Sequence, residues 1–185
     1  MNETTERGIV YVAAGEEFVE EARISAESAT AVMPDVPITL FTDVDADAGE
    51  VFDEVREMND PRYDGGDRVF HADRTPYERT LFLDTDIYFD DPVDEIFDLL
   101  ERFDVAACIN QFRHQSQKID LPKINALPDS FPEYNGGLLA WRRNDRTDAF
   151  LQLWAETFRE VTKHGQIHNQ AALRYALYHT DVSIG

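Results

Sequence analysis

The opening of the chain alternates between a strand pattern and a helix pattern, and this alternation restricts the folds open to it. The run GIVYVAA (8–14) is apolar and rich in β-forming residues, which predicts a strand. Apolar residues then recur at helical spacing from Glu16 to Met33, and Pro34 ends that helix. The run PITLFTD (37–43) predicts a second strand. A strand, a helix and a strand in this order predict two parallel strands joined by a right-handed crossover.

Strand and helix patterns continue to alternate through the rest of the chain. Strands are predicted in TLFLD, DVAACIN and GGLLAWRR, and helices in RVFHADRTPY (as far as Pro76), VDEIFDLLER, TDAFLQLWAETFREVTKH and NQAALRYALYH. This order predicts an α/β fold, a single domain over residues 1–185 with a mixed, mostly parallel central sheet flanked by helices. The chain stops at TDVSIG, where another strand begins, so we expect the domain to be truncated at its C-terminus.

Two aspartates, Asp84 and Asp86, interrupt the apolar strand pattern of TLFLDTDIYFDD. A carboxylate at the end of a buried strand costs free energy unless a cation or several hydrogen bonds compensate for it. Acidic residues number 37 against 17 basic ones, and in so acidic a chain the D-x-D pattern arises by chance roughly two or three times. Its other occurrences, Asp43/Asp45 and Asp45/Asp47, lie in TDVDADAGE, which predicts a solvated loop. The apolar context therefore singles out Asp84 and Asp86.

The acid excess gives the chain a formal net charge of −20, and its basic residues are nearly all arginine, with only three lysines. This composition resembles that of proteins from extreme halophiles, and an ordinary acidic protein is the alternative. Such a charge argues against nucleic acid or an anionic membrane as a direct partner. An anionic substrate stays open, because the Debye length in molar salt is only about 3 Å.

A single cysteine, Cys108, excludes an internal disulfide and indicates a reducing interior. Its apolar surroundings in DVAACIN predict an inert core residue. The N-terminus MNETTERG lacks the apolar segment of a signal peptide, and no apolar run approaches the ~18 residues of a membrane span. We therefore expect a soluble, cytoplasmic protein with no integral membrane segment.

Polar or small residues follow several of the predicted strands, where the ligands of open α/β sheets bind. Neither G-x-G-x-x-G nor G-x-x-x-x-G-K-[ST] occurs, which removes the usual glycine-loop routes to a dinucleotide or a nucleoside triphosphate. A diphosphate would then need a metal, and Asp84 and Asp86, one residue apart across a turn, can offer hard oxygens to Mg²⁺ or Mn²⁺. The residues at the predicted strand ends are Ala14 and Gly15, Asp43, Asp84 to Asp86, and Asn110 and Gln111.

Four segments, in order along the chain, resemble the nucleotide-diphospho-sugar transferases of the GT-A fold, the broad group that includes glycogenin. They are the opening GIVYVAAGEEFVEEARISAESATAVMPDVPITLFTD, then TPYERTLFLDTDIYF, EYNGGLLAWRRN and HNQAALRYALY. The resemblance covers nearly the whole chain and implies the GT-A (Rossmann-like) fold. It also implies a glycosyltransferase of the hexosyltransferase type that depends on Mn²⁺ or Mg²⁺. The implied partners are a nucleoside-diphosphate sugar as donor and an unknown acceptor, whether a glycan, a protein or a lipid-linked molecule.

The resemblance assigns roles around the donor diphosphate. Asp84 and Asp86 would hold the metal that bridges it, with Thr85 near the ribose. Such a metal stabilises the negative charge that develops as a nucleoside diphosphate departs. Further substrate-binding positions lie at strand ends in the implied nucleotide-binding region, namely Ala13, Ala14, Gly15 and Asn110.

Arginine and histidine positions are assigned in the same way. Arg68 lies where the resembling proteins carry a basic residue that contacts the nucleotide, and guanidinium matches phosphate oxygens. A surface ion pair with Asp64 or Asp67 is the alternative for Arg68. A histidine near the C-terminus commonly completes the metal site of this group, and no residue here, including His179, matches it. The other histidines considered, His114 and His168, are predicted to be polar surface groups.

Two further segments are assigned to the sugar end of the donor. NGG (Asn135, Gly136 and Gly137) resembles a strand entry that faces the donor sugar, and its glycines would let the backbone approach a ligand. A tight turn is the alternative. Asn169 and Gln170, the candidate catalytic residues, match a pair that is usually Asp-Gln and lies near the anomeric carbon. Asn169 lacks the carboxylate that a nucleophile or base would need, and helix N-capping is its alternative role.

Other classes of protein compete with the transferase hypothesis. A haloacid-dehalogenase-like phosphatase also carries D-x-D after an apolar strand, but its motif lies near the N-terminus and continues with Thr or Val. In this chain Tyr88 stands at that position, the motif follows two earlier strands, and lysine is scarce. Sugar-nucleotide pyrophosphorylases share the transferase fold but typically open with a glycine-rich, basic loop, and VAAGEEF lacks both features. A non-catalytic nucleotide-sugar-binding domain stays open because of Asn169 and the missing histidine. The sequence favours the metal-dependent glycosyltransferase.

Overall fold

The computed structural model of the protein describes residues 5–45, 51–110, 120–165 and 167–185. The strands in these ranges are β1 (Thr5–Ala13), β2 (Ile38–Thr42), β3 (Glu54–Glu57), β4 (Tyr77–Leu83), β5 (Val105–Ile109) and β6 (Tyr134–Arg142). The helices are α1 (Glu16–Val32), α2 (Gly65–His71), α3 (Ile96–Leu99), α4 (Pro122–Asn125), α5 (Asp145–Lys163) and α6 (Gln170–His179).

These strands form one sheet with the order β3-β2-β1-β4-β6-β5. β1 pairs in parallel with β2 and β4, and β2 pairs in parallel with β3. β6 runs antiparallel to both of its neighbours, β4 and β5. The predicted mixed, mostly parallel sheet is therefore confirmed. Because β6 is reversed, its amino end lies beside the carboxyl end of β4, where Leu83 pairs with Leu138.

The central strands are buried on both faces, which is why they read as continuous apolar runs in the sequence. Along β1, Ile9 and Tyr11 contribute to one core together with Ala22 of α1. Val10, between them, contributes to the second core, which contains Trp154 of α5. Helices therefore cover both faces of the sheet, as predicted, and the strand ends form an edge between two helical layers.

The two longest helices lie close to where the sequence pattern predicts them. α1 begins after Gly15, whose φ of 89° suits glycine, and Pro34 lies just beyond its end. At the start of α5, the side chain of Asn144 accepts hydrogen bonds from the N–H groups of Arg146 and Thr147, and the Thr147 hydroxyl accepts one from the N–H of Asn144. None of the helices in the described ranges is long and apolar enough to cross a bilayer.

Several local expectations were wrong. β3 was not predicted, because its sequence EVRE is charged and the strand lies at the sheet edge with no fully buried residue. α4 is a single turn and was also missed. The segment VDEIFDLLER forms only the short helix α3. Cys108 is exposed rather than part of the core, because the burial of β5 fades toward its C-terminal end.

A buried aspartate, Asp104, ties the last residues of the chain to the sheet. Burial alone would raise its pKa, but hydrogen bonds from Ser183, Arg142 and Asn144 outweigh that effect and lower the pKa to about 2. Next to Asp104, Ile184 forms a parallel bridge with Val105, so the TDVSIG segment begins a strand-like pairing, as its pattern indicated. The donors to the Asp104 carboxylate are Arg142 (2.9 Å), Arg146 (3.0 Å), Asn144 (3.0 Å), and the backbone N–H (3.0 Å) and hydroxyl (2.9 Å) of Ser183.

Candidate functional site

A cavity of about 460 Å³ lies at the edge of the sheet where β1 and β4 end. Cavities of this size hold small molecules. Its walls come from α1, the loop before α2, α2 itself, the segment after β4 and the residue before α6. The cavity brings together part of the site predicted from the sequence, namely Ala14, Arg68, Asp84, Thr85, Asp86 and Asn169.

Asp84 and Asp86 stand at the rim of this cavity, directly after β4. Both are exposed, and Asp84 keeps 49% of its side-chain exposure. The expected burial cost of these carboxylates was therefore wrong, because the strand buries its apolar residues and ends before its acids. The backbone N–H of Asp84 donates to the carbonyl of Gly137 (2.7 Å), and the hydroxyl of Thr85 donates to Glu21 of α1 (2.8 Å).

Arg68 of α2 points its buried guanidinium at this rim. It forms an ion pair with Asp84 and lies 4.4 Å from the ring centroid of Phe82. Burial lowers the pKa of Arg68, and the nearby charges of Asp84 and Asp86 oppose that shift. The alternative partners proposed from the sequence have other roles, since Asp64 caps α2 and Asp67 accepts from backbone N–H groups. The surface ion pair was therefore the wrong alternative.

The NGG segment forms the first part of β6 rather than a tight turn. A Cβ on Gly137 would lie 2.5 Å from a carboxylate oxygen of Asp84, and a Cβ on Gly136 would lie 2.6 Å from Oδ1 of Asn169. The side chains of Asp84 and Asn169 thus lie too close to the backbone for either glycine to be replaced without a shift. The side chain of Asn135 accepts a hydrogen bond from the N–H of Gly137 (2.7 Å), which fixes the local backbone.

Three buried polar atoms of the predicted site residues have no hydrogen-bond partner among the residues that the structure describes; two of them belong to the cavity wall, and the third, on Gln170, belongs to the residue that follows Asn169 in the chain. They are Nε of Arg68, Oδ1 of Asn169 and Oε1 of Gln170. Asn169 precedes α6, yet its side chain makes no capping hydrogen bond, so N-capping was the wrong alternative for it. Buried polar groups are nearly always paired. Their unused donor and acceptor capacity indicates a place for a polar ligand.

Asp43, which follows β2, does not line the cavity but bonds to Tyr63, which does. Its two carboxylate oxygens accept hydrogen bonds from the N–H of Gly15 (2.8 Å) and the hydroxyl of Tyr63 (2.7 Å). Burial raises the pKa of Asp43, but hydrogen bonds from Tyr63, from the N–H of Gly15 and from its own backbone N–H outweigh that effect and hold the pKa below its ordinary value. Asp43 is therefore a structural part of the site rather than a member of a merely solvated loop. Asp47 lies outside the described residues.

Other predicted residues lie away from the cavity or outside the described residues. The side chain of Ala13 is buried in the core with α1. Asn110 donates to the carboxylate of Glu133 (3.1 Å) and does not line the cavity. Its substrate-binding role stays a prediction. Gln111 and His114 lie outside the described residues.

Sequence reasoning missed several residues of the cavity wall, among them Phe18, Glu21 and Tyr63. Phe18 is one of the apolar residues that recur at helical spacing between Glu16 and Met33, a pattern that predicts a buried face, but it is 49% exposed. Its place in the first turn, beside the end of β1, was the signal that could have identified it. Tyr63 and Glu21 carry no sequence signal of their own, because only the fold brings them to the strand ends.

The residues at the rim fit part of a divalent metal site. Asp84 and Asp86 offer carboxylate oxygens at an exposed edge, and Mg²⁺ or Mn²⁺ commonly completes its shell with phosphate oxygens and water. Within the described ranges, no group of three or more His, Cys, Asp or Glu side chains is placed to hold a metal. His179 instead packs against Tyr175, with ring centroids 4.3 Å apart. The protein can thus supply two ligands, and a diphosphate would have to supply others.

No protein-family model matches this chain, and no curated protein matches it. Solved structures do match, and they define the class of fold: the six-stranded mixed sheet flanked by helices is that of the GT-A glycosyltransferases. The haloacid-dehalogenase-like hypothesis loses its support with this result.

Three of the matching solved structures show how similar this chain is to known glycosyltransferases in fold and in sequence. One is the galactosyltransferase LgtC in complex with donor and acceptor sugar analogues, at 17% identity and a TM-score of 0.67, covering 96% of this chain and 72% of that one. An active-site mutant of LgtC aligns with 16% identity, a TM-score of 0.63 and coverage of 96% and 71%. The glycosyltransferase GlyE of Streptococcus pneumoniae TIGR4 gives 15% identity and a TM-score of 0.66. The alignment covers 98% of this chain and 45% of GlyE.

Proposed function

We propose that the protein is a metal-dependent glycosyltransferase that transfers a hexose from a nucleoside-diphosphate sugar to an acceptor. The observation that carries this proposal is the convergence, in one cavity of this fold, of two exposed carboxylates with unpaired polar atoms of Arg68 and Asn169. The match to LgtC, solved with donor and acceptor sugar analogues, supports it.

Asp84 and Asp86 are the residues that would hold Mn²⁺ or Mg²⁺. When bound, the metal would neutralise charge on the diphosphate leaving group. Arg68 orients Asp84 through their ion pair and keeps a permanent positive charge beside the same rim. In a chain with a net charge of −20, that local charge favours a diphosphate where the overall charge does not.

Asn169 and Gln170 serve the sugar end of the donor in this proposal. Their side-chain oxygens are unpaired acceptors, and a sugar hydroxyl is a matching donor. Gly136 lets Asn169 lie directly against β6, so the amide is held at a fixed distance from the strand. We assign both residues to orienting the sugar. The amide of Asn169 cannot act as a carboxylate nucleophile.

The finer assignments rest on composition and on single residues. We place the enzyme in the glycogenin-like group and in a halophilic organism, from the NGG and Asn-Gln segments and from the acid excess. The acceptor is a glycan, a protein or a lipid-linked molecule. The exposed thiol of Cys108 fits a reducing compartment, so we propose the cytoplasm.

Donor hydrolysis tests the function. The protein would be incubated in about 2 M KCl with a panel of nucleoside-diphosphate sugars, with Mn²⁺, Mg²⁺ or a chelator, and the release of nucleoside diphosphate measured. We expect release with at least one donor, dependent on metal and lost in Asp86→Asn. Asp91→Asn, an exposed acid outside the cavity, is the matched control. Equal release from Asp86→Asn and the unaltered chain would contradict the assigned metal site.

A non-catalytic nucleotide-sugar-binding domain is the second candidate. The observation that favours it is the amide of Asn169 at the position where the resembling pair has a carboxylate. Calorimetry combined with the product measurement separates the two: a binding domain would bind donor in the presence of metal and release no nucleoside diphosphate over hours, whereas the transferase would release it.

A further inference from the structure

Tyr63 stands at the mouth of the cavity in an unusual backbone conformation. Its φ is 55°, and within the described ranges the only other non-glycine residue with positive φ is Asp60. Its side chain is 65% exposed and lines the cavity. A bulky residue in the left-handed region is strained and persists only where its surroundings hold it.

Two hydrogen bonds hold Tyr63 in this position. Its N–H donates to Asp67 of α2 (2.7 Å), and its hydroxyl donates to Asp43 (2.7 Å). The second oxygen of Asp43 accepts from the N–H of Gly15 (2.8 Å), so the tyrosine is tied to the turn between β1 and α1. The ring lies over that turn, 3.9 Å from where a Cβ on Gly15 would be. These hydrogen bonds keep the strained backbone in place, and they hold the ring of Tyr63 over the turn between β1 and α1.

A second aromatic side chain, Phe18, lines the same cavity from α1 and is 49% exposed. Exposed aromatic rings on a cavity wall leave apolar area in water that a flat ligand can cover. Bases stack on such rings with little regard to their identity, because each base has a π-face.

The order of the strand ends fixes which part of a donor meets these rings. Along the edge, Asp43 follows β2, Gly15 follows β1, Asp84 follows β4, and Gly137 lies in β6. Neighbouring strands are about 4.8 Å apart. A diphosphate at Asp84 with its sugar toward β6 therefore leaves the nucleoside on the β1 and β2 side, where Tyr63 lies.

We propose that Tyr63 is the nucleobase-stacking residue of this site and that Asp43 holds its ring in place. The inference rests on the proposed function, because it assumes a nucleoside-diphosphate donor. Phe18 contributes the second apolar surface. The ligand class is a nucleoside diphosphate of any base, preferred over a diphosphate without a base.

Calorimetric titrations in about 2 M KCl with Mn²⁺ test the proposal, using UDP, ADP and inorganic pyrophosphate as probes. Tyr63→Gly removes the ring and suits the positive φ, so its thermal midpoint should be unchanged or higher. Its affinity for UDP and ADP should fall by about 5- to 100-fold, and its affinity for pyrophosphate should not change. Tyr63→Phe keeps the ring without the hydroxyl and should lose less. Tyr88→Gly, a tyrosine 71% exposed and outside the cavity, is the matched control.

The other outcomes overturn the proposal. Unchanged UDP and ADP affinity in Tyr63→Gly would show that no base stacks there. An equal loss of pyrophosphate affinity, or a Tyr63→Gly chain that fails to fold, would show a purely structural residue. An unaltered chain that binds pyrophosphate as well as UDP would also refute the base site. Failure of the unaltered chain to bind any of the three probes would instead refute the proposed function itself.

Discussion

Arg68 pairs with the carboxylate of Asp84 and, through its second terminal nitrogen, donates to the carbonyl of Phe82 (3.0 Å), two residues earlier in the chain. One buried side chain of α2 therefore holds both the last part of β4 and the first acid beyond it. The planar fork of a guanidinium can make these two contacts at once, whereas an ammonium group is a single point charge.

Replacing Arg68 with lysine should separate charge from geometry. We expect Arg68→Lys to lose about 1 kcal/mol of unfolding free energy, since the carbonyl of Phe82 loses its donor, and to bind a nucleoside diphosphate with Mn²⁺ about tenfold more weakly. Denaturant melts and calorimetry measure the two effects. Arg56→Lys is the matched control, because Arg56 also bonds one carboxylate (Glu54) and one carbonyl (that of Arg74) but lies on β3, outside the cavity. Equal affinity losses in both variants would contradict a site role for Arg68.

A methyl group on Gly137 should disturb the site more than the fold. Its Cβ would meet the exposed carboxylate of Asp84 at 2.5 Å, and that side chain can move away into solvent. We expect Gly137→Ala to stay folded with a modestly lower thermal midpoint, because the displaced carboxylate weakens its ion pair with Arg68, and to lose at least tenfold in metal-dependent nucleotide affinity. Gly165→Ala is the opposite control. Apart from its chain neighbours, no described residue lies within 4 Å of a Cβ at this position, but its φ is 79°, so stability should fall by about 1 kcal/mol and affinity should persist. The prediction fails if Gly137→Ala binds like the unaltered chain.

The carboxylate of Asp104 should make the fold sensitive to acid. Its pKa is lowered from 3.8 to about 2, so the folded state favours the charged form, and the resulting stability is fully present above about pH 5. It is lost as the pH falls through the folded pKa, and amounts to about 2 kcal/mol. Asp104→Asn should be less stable at pH 7 and should lose less of its remaining stability between pH 5 and pH 2. Urea melts across this range measure both slopes. Parallel slopes would show that Asp104 titrates normally.

Salt should stabilise the protein. With a net charge of −20, self-repulsion opposes the compact state in dilute buffer, and molar salt screens it. We expect the thermal midpoint to rise between about 0.1 M and 2 M KCl. An equal or higher midpoint at low salt would count against a halophilic origin. The same comparison in NaCl distinguishes general screening from a specific effect of potassium.

The sequence predicted those parts of the molecule where local pattern and burial agree. The apolar run of β1, the amphipathic α1 and the acids after β4 are read correctly because the central strands are buried on both faces and the strand ends are polar. β3 escaped prediction because an edge strand such as EVRE buries little. Cys108 was misplaced for the same reason, since apolar neighbours in the sequence do not ensure burial at a sheet edge.

The residues of the candidate site also fall into those that the sequence identified and those that only the fold reveals. Asp84, Thr85 and Asp86 are adjacent in the chain, so their strand context was enough to select them. Tyr63 and Glu21 reach the cavity only through tertiary packing, and no spacing relates them to the acids. The outward direction of both carboxylates also could not be read from the sequence, because a strand pattern does not show where its last buried residue lies.

The reversed direction of β6 has a consequence for the order in which the protein assembles. β5 is made before β6, yet within the described chain its partner strand is β6, which inserts between β4 and β5; the single bridge from Val105 to Ile184 forms later still. Until β6 is synthesised and docked, β4 lacks one neighbour and the acids after it lack the wall that Gly137 provides. Contacts this distant along the chain form late and slowly. Nucleotide affinity should therefore appear only at the last stage of folding, which makes it a measure of complete assembly rather than of the first parallel strands.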